Sequence, residues 1–433
     1  MEPLWVGLSG TGNWDDDHRP KDWDQKYTQL FPYGKASLNA ILSLMEAEQA
    51  DDQEIYWWED ELQAQGADIE GVYYDTALQQ AYQSGDDKPA GTVVYVKLGA
   101  NTDVRRFRPG LEVMFREGND LRNDVAGKVI DTSEGAYNWV AVRLLQADGS
   151  GPGDLSDSDY LMVIGDINPQ AGFPVVPRTY ERTKVYNYLQ IFKETYQYSR
   201  SMKQTAFKTG RKDKWLEARA LQLFNEQREN AFLWGPRSMN INPENGQEEY
   251  TTGGIVSFLK SAAPQNVRHY HLFDGSSPYK GQAWESKGKR FLDESLELLF
   301  HWSDGSMGRK VALCGNGALS GINRLVETHG QFNVTSETTT FGWNVTKYVS
   351  PFGVVKFLTY PQFNLYEHLS HSVLFLEPHN LKRKYMQRTT KRDVTPEGFD
   401  GEKYEFLSEE GLKIRYPKTM MLLTGVGMDN NQS

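Results

Sequence analysis

Val185-Tyr186-Asn187-Tyr188-Leu189-Gln190-Ile191-Phe192, followed by Tyr196 and Tyr198, is an aromatic ribbon with charges on both sides. It is the centre of an extended stretch, residues 173–208, for which a compact core offers no obvious place. The expectation is a hairpin that reaches onto another subunit, as extended strands add to a partner's edge. Tyr186, Tyr188, Phe192, Tyr196 and Tyr198 are therefore candidate inter-subunit contacts. Directly after the ribbon comes the strongest helical pattern in the chain, from Asp213 as cap to Trp234, stopped by Gly235-Pro236. Leu216, Ala220, Leu223, Phe224, Gln227 and Ala231 share one face, and Glu217, Arg219, Glu226, Arg228 and Glu229 spread charge over the other. At 1.5 Å per residue such a rod is on the order of 30 Å long, enough to form the backbone of a lobe.

Upstream of the ribbon, residues 91–167 hold short apolar runs between Gly, Asn and Asp turns. Val93 to Lys97, Val113 to Phe115, Val125 to Ile130, Trp139 to Leu145 and Tyr160 to Ile164 read as strands of a small β-barrel or sandwich. The linker Asp148-Gly149-Ser150-Gly151-Pro152-Gly153-Asp154 reads as an exposed loop. Residues 36–50 carry Leu38, Ile41, Leu42 and Met45 at helical spacing, and a weaker helical signal covers 53–83. Residues 1–35 show no period and are expected to be an arm ordered against neighbours, with Trp5 and Trp14 as contacts. Downstream, Ile255 to Leu259, a helix over 288–302, a strand over 310–313 and a helix over 318–329 suggest an α/β lobe. Strands then follow at 338–347, 354–359, 372–376, 413–416 and 420–424.

The 433 residues fit two or three lobes, and the 39% hydrophobic and 24% charged fractions suit a globular chain. A net charge of -11 without a long Lys/Arg run argues against specific nucleic-acid binding. The sole cysteine, Cys314, excludes an internal disulfide. No run approaches the roughly 20 apolar residues of a membrane helix, and Met1-Glu2-Pro3-Leu4-Trp5 does not read as a signal peptide.

Several motifs invite chemistry, and each has a plainer reading. Cys314-Gly315-Asn316-Gly317 lies between strand and helix, where phosphates bind, yet it lacks the full glycine fingerprint and reads better as a turn. The pairs His269/His271 and His368/His371 have no partner at familiar ligand spacing. Trp57-Trp58-Glu59-Asp60 brings rings and carboxylates together, but adjacent carboxylates do not face each other across a glycosidic bond. An aromatic anchor beside a solvated acidic edge is preferred. Asp15-Asp16-Asp17 reads as a solvated loop rather than a cation site. Arg105, Arg106 and Arg108 around Phe107 fit equally a solvated turn and a set of pairs with acidic residues of a neighbour.

The order of these parts resembles one family. Asn187-Tyr188-Leu189-Gln190-Ile191-Phe192, then Tyr198-Ser199-Arg200-Ser201, then a long helix closing in Phe232-Leu233-Trp234-Gly235, is similar to tailed-phage major capsid proteins of the Hong Kong 97-type fold, in the SU-ten group. Thr252-Gly253-Gly254-Ile255 and Tyr348-Val349-Ser350-Pro351-Phe352-Gly353-Val354-Val355 continue the likeness, while Ser199-Arg200-Ser201 departs from the usual Ser-Gly-Thr. The resemblance implies an α+β capsid fold with these parts: an N-terminal arm (1–35), a helical region (36–90), an inserted β-domain (91–167), expected at the capsid exterior, an extended loop (168–210), a spine helix with peripheral lobe (211–262), an axial lobe (263–350) and returning strands (351–433). It implies a non-enzymatic, cofactor-free and metal-free subunit that forms pentamers and hexamers of an icosahedral head around double-stranded DNA, assembled in the host bacterial cytoplasm. Portal, scaffold and cement proteins are its implied partners, with no membrane. Two other readings stand beside it: a carbohydrate-active enzyme, from the acidity and abundant Trp and Tyr, and a non-capsid tail or decoration protein, from the β-rich segment.

Overall fold

The computed structural model describes residues 45–61, 65–117, 124–135, 137–148, 154–170, 175, 177–205, 211–275, 277–302, 309–329, 334–338 and 344–431. The expected arm at 1–35, with Trp5, Trp14 and Asp15-Asp16-Asp17, lies outside them. The chain forms two compact units: the first is Met1–Glu59 with Lys184–Ser433, and the second is Asp60–Thr183.

The chain enters through two short strands, β1 (Glu46–Gln49) and β2 (Glu54–Glu59). Both overturn helix expectations: of the 36–50 window only its last six residues are described, and they hold β1. In β2, Ile55, Trp57 and Glu59 turn inward while Tyr56 and Trp58 turn out, a period of two.

The second unit is a closed barrel of β3 (Gly66–Tyr73), β4 (Val93–Leu98), β5 (Leu111–Arg116), β6 (Asp124–Ser133), β7 (Trp139–Leu144) and β8 (Tyr160–Asp166), ordered β3-β4-β7-β6-β5-β8. It starts earlier than the 91–167 boundary drawn from the sequence, because β3 occupies the window read as weakly helical. Alternation fills the interior: Val94, Val96 and Leu98 from β4, Leu111, Val113 and Phe115 from β5, and Val140, Val142 and Leu144 from β7, all buried. Gly127 of β6 points inward too, where an added Cβ would lie 2.3 Å from Val142 Cγ1. Gly127→Ala is expected to cost about 1–3 kcal/mol through overpacking, read as faster amide exchange confined to the barrel strands. The linker expected to be fully exposed is pinned at both ends. Asp148 is buried and accepts from the Tyr82 hydroxyl, and Asp154 caps a short 3-10 turn and accepts from Gly85 N at 2.6 Å. Burial is the main force pushing the Asp148 carboxyl up.

In the first unit, β9 (Thr183–Tyr188) pairs with β2, and β10 (Gln190–Ser199) follows. The long helix α1 (Lys212–Trp234) runs close to the expected bounds. Asp213 is not its cap; that position is Arg211, whose guanidinium pairs with Asp213 at 2.6 Å. After the hairpin β11 (Ser238–Ile241) and β12 (Glu248–Thr251) come helix α2 (Ile255–Ala262), strand β13 (Val267–His269) and helix α3 (Trp284–His301). Strand β14 (Arg309–Cys314) and helix α4 (Asn316–His329) precede β15 (Val334–Thr338), β16 (Asn344–Val349), β17 (Val354–Thr359) and β18 (Val373–Leu376). The chain closes with β19 (Leu381–Asp393), β20 (Gly401–Ile414) and β21 (Met421–Thr424).

Two sheets organise this unit. The seven-stranded one, β13-β21-β18-β14-β17-β16-β15, is covered on both faces around its middle strands. Leu313, Leu374, Leu376 and Leu422 face the core that holds α2, while Ala312, Cys314, Val373, Phe375, Met421 and Leu423 face α3 and α4. Continuous apolar runs such as Val373–Leu376, buried throughout, are what such a sheet needs. The four-stranded sheet, β1-β19-β20-β10, carries α1 across β10 and β20. Phe224, Phe232 and Leu233 of α1 are buried there. So are Arg228 and Glu229, which the sequence placed on the solvent face, while Leu223 and Gln227 are exposed. The shifted stripe follows from partners far along the chain. Arg228 Nη1 meets Glu410 Oε1 at 3.0 Å and Thr389 Oγ1 at 2.8 Å, and Glu229 accepts from the Tyr360 hydroxyl at 3.1 Å.

Candidate assembly surfaces

The sheet sorts the aromatic ribbon into two halves. In β10, Phe192, Tyr196 and Tyr198 turn inward, each no more than 8% exposed. Tyr196 lies opposite Tyr404 of β20 with ring centroids 5.6 Å apart, and Phe192 meets Phe232 of α1 edge-on at 6.0 Å. These three rings therefore pack inside their own subunit, correcting the expectation that they reach a neighbour. The β9 half differs. Tyr186 is exposed and Tyr188 half-buried, and together with Tyr56 and Tyr250 they form a surface row: Tyr56–Tyr186 at 6.0 Å, Tyr186–Tyr188 at 5.6 Å, Tyr188–Tyr250 at 5.0 Å. Trp58 shares the outward face of β2 with Tyr56 and is 62% exposed. Across the β11–β12 hairpin, Met239 stands opposite Tyr250, and Ile241, 67% exposed, continues that face. Lys184 sits over Tyr56 at 3.9 Å and Arg237 over Tyr186 at 4.1 Å, holding the rings in place from the rim.

Asn187 anchors this ledge. Its side chain is wholly buried, donates to Leu412 O at 2.7 Å and Gly253 O at 3.1 Å, and accepts from Gly253 N at 2.7 Å. Gln190 accepts from Thr252 N at 3.2 Å. A Cβ on Gly254 would lie 2.8 Å from Gly235 N and Leu233 C. The Asn-Tyr-x-Gln stretch, the Thr-Gly-Gly turn and the close of the long helix thus meet in one junction.

The edge strand β1 runs parallel to β19, with Glu46 opposite Lys382 and Glu48 opposite Lys384. Hydrogen bonds from Lys382 and then Lys384 hold the Glu48 carboxyl down from 4.5 to about 2. A depressed carboxylate stabilises above its unfolded value and ceases to do so as it protonates. The contribution is therefore whole above about pH 4.5 and lost as pH falls towards 2. Amides 46–50 should lose protection across that window, and Glu48→Gln should remove the pH dependence.

The arginine turn belongs to the barrel unit. Arg105 Nε pairs with Glu134 at 2.9 Å, Arg106 with Asp103 at 3.0 Å and Gly66 O at 2.8 Å, and Arg108 with Asp166 at 2.9 Å. The turn is thus tied within its own unit, and only Arg105 remains largely exposed, at 66% of its side chain.

The other sequence motifs are structural. Gly315 packs so closely that a Cβ would meet Ser370 O at 2.2 Å, and the first amides of α4 are taken: Asn316 N by Asn364 Oδ1 at 2.8 Å and Ala318 N by Ser370 O at 3.0 Å. No anion is needed there. The Cys314 thiol is buried, which pushes its pKa well up. Glu59 is not part of a solvated edge. It is buried and accepts from Trp57 Nε1 at 2.8 Å and Tyr416 N at 3.1 Å. Among the described residues, no group of three or more His, Cys, Asp or Glu is placed to hold a metal ion.

The family model of the SU10 major capsid protein matches residues 8–427. The chain belongs to that family. The helices and sheets of this capsid protein agree with the α+β class expected from its sequence. Solved structures similar to it include the capsid of Myoviridae phage XM1, at 10% identity over 93% of this chain and 96% of that one, TM-score 0.40. The capsid of an empty GTA particle follows at 8% identity over 94% of each chain, TM-score 0.42. The SrpI encapsulin of Synechococcus elongatus PCC 7942 matches at 11% identity over 58% of this chain and 78% of that one, TM-score 0.38. No curated protein matches the capsid protein's sequence.

Proposed function

We propose that this capsid protein assembles through the Tyr56–Tyr250 ledge into the pentamers and hexamers of an icosahedral phage head around double-stranded DNA. The exposed row of rings beside Trp58, Met239 and Ile241 carries this reading, since a contiguous apolar patch of this kind marks an association surface. Rings add contact area at small entropic cost, and apolar burial gives about 25 cal/mol per Å² before ordering costs. A head-to-tail contact of this patch with a different surface of the next copy closes rings of five or six. The α1 lobe takes the peripheral part, residues 263–350 the axial part, and the arm at 1–35 crosses to a neighbour. The subunit carries no reaction or cofactor of its own, assembles in the bacterial cytoplasm, and works with a portal, a separate scaffold and cement proteins. The acidic total, -11, suits a lining that does not grip packaged DNA tightly. Light scattering after size exclusion tests the ring step: masses at five and six subunits support it, and a monomer at every concentration refutes it. Deleting residues 1–35 should leave a soluble subunit that fails to close shells, as seen by sedimentation. Normal shells from that deletion would remove the arm's role.

A further inference from the structure

The face of the four-stranded sheet turned away from α1 carries a cluster of cations in a chain that is acidic overall. Lys382 of β19 stands opposite Lys413 of β20, Lys384 follows on the same face, and Arg415 lies close to both Lys382 and Lys413. Two carboxylates answer these four cations. Glu48 takes Lys382 and, at 2.8 Å, Lys384, while Glu46 stands 3.6 Å from Lys382 with its side chain 82% exposed. Lys413 pairs with no carboxylate among the described residues, and Arg415 donates to the His379 carbonyl at 3.0 Å. The crowding shows on Lys413. Burial first, and then repulsion by Lys384, Arg415 and Lys382 against the pull of Glu48, moves its pKa down. All four cations stay partly exposed, so the surplus is open to a partner.

The opposite surplus lies on the β11–β12 hairpin, part of the ledge. Residues 243–249 are all exposed. Glu244, Glu248 and Glu249 meet no cation among the described residues: Glu248 accepts from the Tyr250 hydroxyl and Glu249 from the Asn242 amide. The ledge cations, Lys184 and Arg237, stand over ring faces instead. Glu248 lies opposite Ile241, on the face that carries Met239 and Tyr250. The turn is stiff, with Asn242 N on Gln247 O and Gly246 N on Asn242 O, both at 2.8 Å, so docking orders little. Within one subunit no ion pair among the described residues joins hairpin to cluster, which leaves each surplus for another copy. We infer that the β11–β12 hairpin of one copy sets its carboxylates on the cluster of Lys382, Lys384, Lys413 and Arg415 of the next, which makes that cluster the surface that receives the ledge. The inference rests on the proposed role of the ledge. A contact between two different surfaces is head-to-tail, the kind that closes rings. Complementary charge speeds the encounter and fixes its register, and salt screens it beyond about 10 Å at 0.1 M.

The test measures self-association of the 433-residue chain by sedimentation velocity at low salt. Glu244→Lys with Glu249→Lys should weaken it at least ten-fold, and so should Lys413→Glu with Arg415→Glu. An equimolar mixture of the two variants should associate again to within about three-fold of the parent, because each hairpin then meets a cluster of opposite sign. Unchanged near-ultraviolet circular dichroism shows that the variants fold. A second measurement uses single cysteines, since the native Cys314 is buried. A short bismaleimide should join Glu244→Cys copies to Lys413→Cys copies in preference to either kind alone. Indifference to the charge changes, no recovery in the mixture, or no preference in the crosslink would overturn the inference. So would loss of double-stranded DNA binding in the Lys413/Arg415 variant with self-association intact, which would assign the cluster to phosphates. The ledge reading is scored separately with Tyr56→Ala and Tyr186→Ala. Association that needs those rings but ignores the charges overturns the inference and leaves the ledge, and association that follows the charges but ignores the rings does the reverse.

Discussion

Replacing Lys310 with methionine should lower the stability of the larger unit by about 3–5 kcal/mol, the cost of leaving one member of a buried ion pair alone. Lys310 Nζ lies 2.8 Å from Glu377 Oε2 and 2.8 Å from Thr419 O, and both side chains are 2% exposed. The pair joins β14 to the turn after β18, so its loss opens the middle of the seven-stranded sheet. At about 2.1 cal/mol/K per residue, a unit of roughly 300 residues shifts by about 1.5 °C per kcal/mol, so melting should fall by roughly 5–8 °C. Glu377→Gln should act in the same direction. Lys310→Met combined with Glu377→Leu should recover most of the loss, because a packed apolar pair replaces two desolvated charges. Single variants that melt like the parent would show that water reaches the pair.

Tyr56→Ala combined with Tyr186→Ala should leave the subunit folded and abolish shells. Both rings are exposed, at 49% and 36%, so neither supports the core, and melting should change little. Central aromatic contacts cost about 2 kcal/mol or more each when truncated. Even 3 kcal/mol per interface is on the order of a hundred-fold in association constant, and every subunit in a shell makes the contact repeatedly. Phe192→Ala gives the contrast. That ring lies in the core against Phe232, so its loss should cost about 3–5 kcal/mol of stability rather than act on assembly alone. Sedimentation velocity and differential scanning fluorimetry on the same samples separate the two effects.

What the sequence disclosed follows the range of the interactions. Strands β4 to β8 were legible because alternation is local, as in Val94, Val96 and Leu98. Helix α1 was legible for the same reason, but its buried stripe was not, because Glu410, Thr389 and Tyr360 stand well over a hundred residues from Arg228 and Glu229. β2 was hidden by composition: with Tyr56, Trp57 and Trp58 in succession, apolar rings occupy both faces and mask the period of two. The ribbon was seen as extended but given one fate. β20 decides that Phe192, Tyr196 and Tyr198 go inside, and a strand more than two hundred residues away leaves no mark on local pattern. Of the candidate contacts, Tyr186 and Tyr188 lie on the ledge, while Tyr56, Trp58 and Tyr250 were missed. Their signal was available in the outward positions of β2 and β12 once those segments were read as strands.

Negative-stain electron microscopy of the 433-residue chain, expressed in bacteria and purified by sedimentation, bears most directly on the central claim that this chain completes its function only among its copies. Closed polyhedral shells, lost with the Tyr56/Tyr186 double variant and retained with a conservative change such as Tyr56→Phe, are the result predicted. Single folded subunits that never assemble, or shells indifferent to the ledge, would contradict it.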